Sequence, residues 1–102
     1  MTEVLADMRE KAIEHALVMA TRSKGGIALK FTSPGFAGMP DRLVLLPHGR
    51  MGFVELKAPG RKPRPLQLAR HRLLRRLGFK VYVIDDTRQI AMVLKEIGGD
   101  AL

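Results

Sequence analysis

The chain of 102 residues carries eighteen Lys and Arg against ten Asp and Glu, a formal charge of +8, and no cysteine. A single domain of this length buries one modest core, and the missing thiols exclude both disulfide stapling and thiolate zinc sites. With neither a signal peptide nor an apolar run of roughly 18 residues, the expectation is a cytoplasmic protein without a membrane partner, its charge directed at a polyanion and nucleic acid first.

The opening MTEVLADMREKAIEHALVMATRSKGG repeats apolar residues at Leu5, Met8, Ala12, Ile13, Ala16, Leu17 and Ala20, the spacing of an amphipathic helix. Thr2 is placed to cap it, and Gly25 and Gly26 to end it. IALKF reads as a short strand, and TSPGFAGMP, with two Pro and two Gly, as an ordered loop leading into Asp41. The small residues Ser33, Pro34 and Gly35 suit either a plain turn or close approach of a DNA backbone. Phe36 at the loop tip suits core or dimer packing, or a wedge against a base.

RLVLLP and GFVELKA are β-prone runs joined by HGRM, whose Gly49 fits a tight turn, so an antiparallel hairpin is predicted. PGRKPRP cannot continue a strand, because proline lacks the backbone donor. A helix is predicted from Pro65 to about Leu77, with Leu66, Ala69, Leu73, Leu74 and Leu77 as its apolar face, the arginines opposite, and Gly78 as its stop. KVYVID, apolar almost throughout, reads as an interior strand. TRQIAMVLKEIGG closes the chain as a helix capped by Thr87, whose Ile90, Met92, Val93, Leu94 and Ile97 serve either a dimer interface or the cover of the sheet. The order α-β-β-β-α-β-α predicts an α/β fold in the broad sense, an α+β arrangement with a mixed sheet.

From Lys57 to Arg76 the basic residues Lys57, Arg61, Lys62, Arg64, Arg70, Arg72, Arg75 and Arg76 occur without one acid between them. Such a stretch contacts phosphates electrostatically, with steep salt dependence and no choice of sequence. Beside it, strand alternation places Phe53, Glu55 and Lys57 on one side and Val54, Leu56 and Ala58 on the other. Asp41, at the start of the partner strand, can reach the same edge. Two carboxylates and an ammonium suit a hard divalent cation, Mg²⁺ or Mn²⁺, with the Leu56 carbonyl as a third ligand and Lys57 orienting or deprotonating an attacking water. A bare Glu-x-Lys is usually a solvent-facing ion pair. The distinguishing feature is its conjunction with Pro40-Asp41 after a Gly/Pro loop and with the basic helix that follows. His15 and His48 have no ligand partners at zinc spacing and read as structural.

GMPDRLVLL with GFVELKAPG, followed by RPLQLARHRLLRRLGFKVYVIDD, closely resembles the VRR-NUC domains of the PD-(D/E)xK nuclease superfamily, over about Glu10 to Asp86. KFTSPG, PLQ and GFKVYVID strengthen the likeness, which is to the compact stand-alone form of phage and bacterial genomes. The resemblance implies a restriction-endonuclease-like αβββαβ core with a C-terminal helix, residues 1–102 forming one domain. It further implies a metal-dependent endonuclease, structure-selective for branched DNA such as Holliday junctions and acting as a homodimer. By position, Asp41 and Glu55 are the motif's acids, Lys57 its lysine, and Gln67 the glutamine that supports the site. Relatives add an acid from the first helix, matched here to Glu14 with Glu10 as the fallback. His71, one turn beyond Gln67, joins Arg61, Lys62, Arg64, Arg70, Arg72, Arg75 and Arg76 as a DNA contact. The alternative is a catalytically silent nucleic-acid-binding module, against which the intact Asp41, Glu55 and Lys57 argue, since a binder of polyanions gains nothing from added acids.

Overall fold

The computed structural model describes residues 2–99. Thr2 caps the first helix, its Oγ1 accepting from the Leu5 N–H at 3.2 Å, and α1 spans Glu3–Ser23. Gly25, at φ 81°, turns the chain into β1, Ile27–Lys30. The hairpin follows as β2, Arg42–Leu46, and β3, Arg50–Leu56, paired antiparallel from Arg42↔Val54 to Leu46↔Arg50. Its turn places His48 and Gly49 at φ 67° and 71°, two successive left-handed residues whose twist matches that of the strands. Helix α2, Pro65–Arg76, then carries the chain over to β4, Val81–Ile84, which pairs parallel with β3. A short turn, Thr87–Gln89, precedes α3, Ile90–Gly98. Asp86, not Thr87, caps that turn by accepting from the Arg88 N–H at 2.8 Å.

The four strands lie in the order β1-β2-β3-β4. KVYVID is therefore an edge strand among the described residues, not an interior one. Its apolar character has another cause: both of its faces are covered. Tyr82 and Ile84 pack into the larger core with Leu17, Val44, Val54, Leu56 and Leu94, whereas Val81 joins Phe53 and Leu74 on the opposite face. Helices α1 and α3 supply the first side, and α2 the second.

Ile90, Val93, Leu94 and Ile97 of α3 are all buried in that larger core, so of the two roles open to this helix the structure assigns cover of the sheet. The apolar face expected for α2 is also revised. Its buried positions are Gln67, His71 and Leu74, while Leu66, Leu68 and Leu77 are exposed. The sheet below this helix presents Glu55, and the helix rotates polar side chains toward it. No helix among the described residues is long and apolar enough to cross a membrane.

Gly26 shows how tightly β1 meets β2, because a Cβ there would lie 2.2 Å from the Leu45 carbonyl oxygen. Gly26→Ala is expected to cost about 2–3 kcal/mol in urea unfolding, since the strands must part. Gly35→Ala, which meets nothing within 4 Å, serves as the control and stays within about 0.5 kcal/mol of the parent.

Candidate active site

The hairpin register brings the acids together. One step beyond Arg42↔Val54, Asp41 stands across from Glu55, and its Oδ2 accepts from the Leu56 N–H at 2.9 Å. Glu55 points to the α2 side of the sheet, one residue before the strand ends. Just past that end, the Lys57 N–H donates to the Ile84 carbonyl at 3.0 Å, which holds Lys57 beside β4 with its Nζ 3.7 Å from Glu55 Oε2. From above, Gln67 Nε2 donates to the same Oε2 at 3.0 Å, while Gln67 Oε1 accepts from the Arg64 N–H at 2.8 Å. His71, one helical turn on, sets its Nε2 3.8 Å from Glu55 Oε1.

A carboxylate that is 1% exposed beside a second carboxylate is electrostatically costly. Burial first, then the hydrogen bond and charge of Asp41, push Glu55 from its ordinary value near 4.5 up to about 8, against the opposing pull of Lys57. Burial and the Asp41 charge likewise raise Glu10. Burial, then the nearby Arg75 and Lys57 cations, lower His71 and keep its imidazole neutral. Glu10, Asp41 and Glu55 open onto a cavity of about 500 Å³, whose other wall is Lys57, Arg61, Lys62 and Arg64. The donors are all oxygens, the choice of a hard cation, and neutralising the mutual repulsion of these acids is what such an ion does. Among the described residues no group of three His, Cys, Asp or Glu side chains is placed to hold a metal ion. An ion held by one or two carboxylates, with water and substrate phosphate filling the rest, requires no such group.

A relative named "Putative nuclease p44", from Acyrthosiphon pisum secondary endosymbiont phage 1, is 56% identical over 78 residues, which cover 76% of this chain and 84% of that protein. A solved structure of a VRR_NUC domain superposes with a TM-score of 0.79 at 32% identity, over 85% of this chain and 95% of the other. The chain belongs to the VRR-NUC family. No family model matches it. The four-stranded mixed sheet with its helices is the VRR-NUC fold, consistent with a PD-(D/E)xK core.

Against this VRR-NUC frame, the sequence-predicted residues divide. Asp41, Glu55, Lys57 and Gln67 meet at one point, and Leu56 lines the same cavity. Glu14 does not join them: Arg42 reaches back from β2 to hold its Oε2 at 3.0 and 3.1 Å, and the same guanidinium donates to the Ala28 carbonyl. Of the two first-helix acids expected there, Glu10 is the one that reaches the cavity. Glu3 and Asp7 line it too, although sequence reasoning passed over them. The signal was present in the spacing, since residues 3, 7, 10 and 14 form one helical stripe.

The basic residues also separate by role. Arg61, Lys62 and Arg64 border the cavity, with Arg61 paired to Glu3 at 2.9 Å. Arg72 and Arg76 are exposed on α2. Arg70 is committed to structure, its Nε donating to the Ala37 carbonyl at 2.8 Å and its guanidinium lying 3.7 Å over the Phe36 ring. Phe36 is thus neither in the core nor a free wedge: it is an exposed ring stacked on Arg70. Arg75 Nη2 donates to the Val81 carbonyl at 2.7 Å and ties α2 to β4. His71, expected to contact DNA, is 1% exposed and cannot reach a phosphate, because its place one turn from Gln67 lies beneath the helix. His15 and His48 are exposed and remote from the cavity lining.

Proposed function

We propose that this VRR-NUC chain is an endonuclease that hydrolyses DNA phosphodiester bonds with Mg²⁺ or Mn²⁺ held by Asp41 and Glu55. The Leu56 carbonyl is the further oxygen donor, while Glu10 lines the same cavity without closing on the pair. The observation that carries this reading is the buried Glu55, driven toward protonation beside the Asp41 carboxylate at the edge of a strongly basic wall. A cation relieves the first feature and a phosphate backbone matches the second. The name of the phage relative supports the same class of chemistry.

When bound, the ion supplies a lowered pKa for the attacking water and neutralises charge developing on the phosphate. Lys57, anchored through its backbone to Ile84, orients that water against the phosphate as a cationic donor. Gln67 fixes the Glu55 carboxylate, and its own amide oxygen is fixed by Arg64. Arg61, Lys62 and Arg64 hold the phosphates on either side of the cut.

The preferred substrate in this reading is branched DNA such as a Holliday junction, met in the cytoplasm of a bacterial or phage-infected cell. Two symmetric cuts need two sites, which a two-fold homodimer provides. With Ile90, Val93, Leu94 and Ile97 of α3 buried within the protomer, the β1 edge with its exposed Ile27 and Leu29 is the surface proposed for a second copy.

A panel of linear duplex, flap and four-way junction substrates, with Mg²⁺, Mn²⁺ or EDTA, tests the reading. Metal-dependent cutting of the junction well above the linear duplex is expected; equal rates on both remove the branched preference, and cutting in EDTA removes the metal. Light scattering with size exclusion reads the dimer. Lys62→Ala should weaken junction binding evenly across sequences and reduce the slope of log affinity against log salt by about 1.

A further inference from the structure

Only two buried side-chain polar atoms lack a hydrogen-bond partner among the described residues, Glu55 Oε1 and His71 Nε2, and they face each other at 3.8 Å. Each residue is 1% exposed, so bulk water does not supply the missing bonds. An unmade bond on a buried polar group costs on the order of 1–3 kcal/mol, and a closure of about 1 Å between these atoms satisfies both.

We infer that His71 is a positioning residue for Glu55: its Nε2–H is the donor to Oε1, and with Gln67 on Oε2 it grips the carboxyl group at two points. The two donors stand four residues apart on α2, one turn above the other, so a single rigid helix sets both contacts. Gln67 lines the cavity and His71 does not, which makes Oε2 the cavity-side oxygen and Oε1 the inner one. A carboxyl group held at only one oxygen turns about its last bond. Held at both, it keeps one oxygen aimed at Asp41 and the cavity. Partners behind a metal ligand typically account for 10–100-fold in metal affinity, which is the size of effect expected here.

This inference rests on the metal reading of Asp41 and Glu55, and one titration separates the two. Mn²⁺ affinity is measured for the full chain by electron paramagnetic resonance of the free ion. Wild type is expected to bind Mn²⁺, with Asp41→Asn and Glu55→Gln much weaker; a wild type that does not bind overturns the metal reading and this inference with it. His71→Leu is expected to weaken binding by about 10–100-fold. His71→Gln, which places an amide donor near the lost Nε2–H, is expected to restore most of it. Wild-type affinity in His71→Leu, or no recovery in His71→Gln, overturns the positioning role alone. Nitrogen-15 spectra of the Mg²⁺-loaded wild type require no variant to fold: a protonated Nε2 on His71 is expected, and an unprotonated one overturns the inference.

Discussion

Asp41→Asn and Glu55→Gln are each expected to reduce cleavage of a four-way junction by on the order of 10³-fold at saturating Mn²⁺. The magnitude follows from the several kcal/mol that a Lewis-acid ion contributes to charge stabilisation, at about 1.4 kcal/mol per tenfold in rate. Lys57→Ala removes the cation placed to orient the attacking water and is expected to lose about 10²–10³-fold. Junction affinity in EDTA is expected to stay near wild type for all three, because the cavity-lining Arg61, Lys62 and Arg64 are untouched. Single-turnover rates and a gel-shift titration read the two quantities separately. Cleavage that survives in Glu55→Gln protein would remove the site from this part of the fold.

Metal-free protein loses stability as the pH rises from about 4.5 to about 8, and bound metal reverses the loss. Glu55 has an ordinary value near 4.5 and is pushed up to about 8 in the fold, by burial first and Asp41 second. Across that window the folded chain holds a proton that the unfolded chain has released. Its contribution is therefore fully present below the unfolded value and disappears as the pH climbs through the folded one. Melting temperatures in EDTA should fall from pH 6 to pH 9, and Glu55→Gln, which cannot ionise, should flatten that fall. Mn²⁺ at about 100 times its dissociation constant adds about 2.7 kcal/mol to the wild type. The gain should grow with pH, because binding needs the carboxylate. A wild-type profile in EDTA that parallels Glu55→Gln shows that Glu55 does not titrate as a buried acid.

The hairpin was legible because both of its signals are local. Alternating β-prone residues on each side of a turn with Gly49 specify strands and their register, and register alone sets Asp41 across from Glu55. The cap at Thr2 and the helix stop at Gly25 are decided by chemistry within a few residues as well. Less legible were the choices that depend on what one element presents to another. Glu10 and Glu14 share a helical stripe, and only the docking of β2, which brings Arg42 to Glu14, leaves Glu10 for the cavity. KVYVID has the composition of a central strand yet lies at an edge, since cover by helices buries a strand as well as neighbouring strands do.

Helix α2 makes the distinction clearest. Periodicity put Leu66, Ala69, Leu73, Leu74 and Leu77 inward; the structure buries Leu74 against Phe53 and Val81 but sets Gln67 and His71 beside it, because there the sheet offers the helix a carboxylate. Taken alone, the sequence determined the hairpin, the spacing of the site's acids and lysine, and the basic stretch beside them, all of which follow from period and local turn chemistry. The tertiary structure alone decided which first-helix acid faces the cavity, which arginines remain free for phosphate, and that His71 stands behind Glu55. Those choices depend on which side chains meet across elements distant in sequence, and neither period nor composition carries that information.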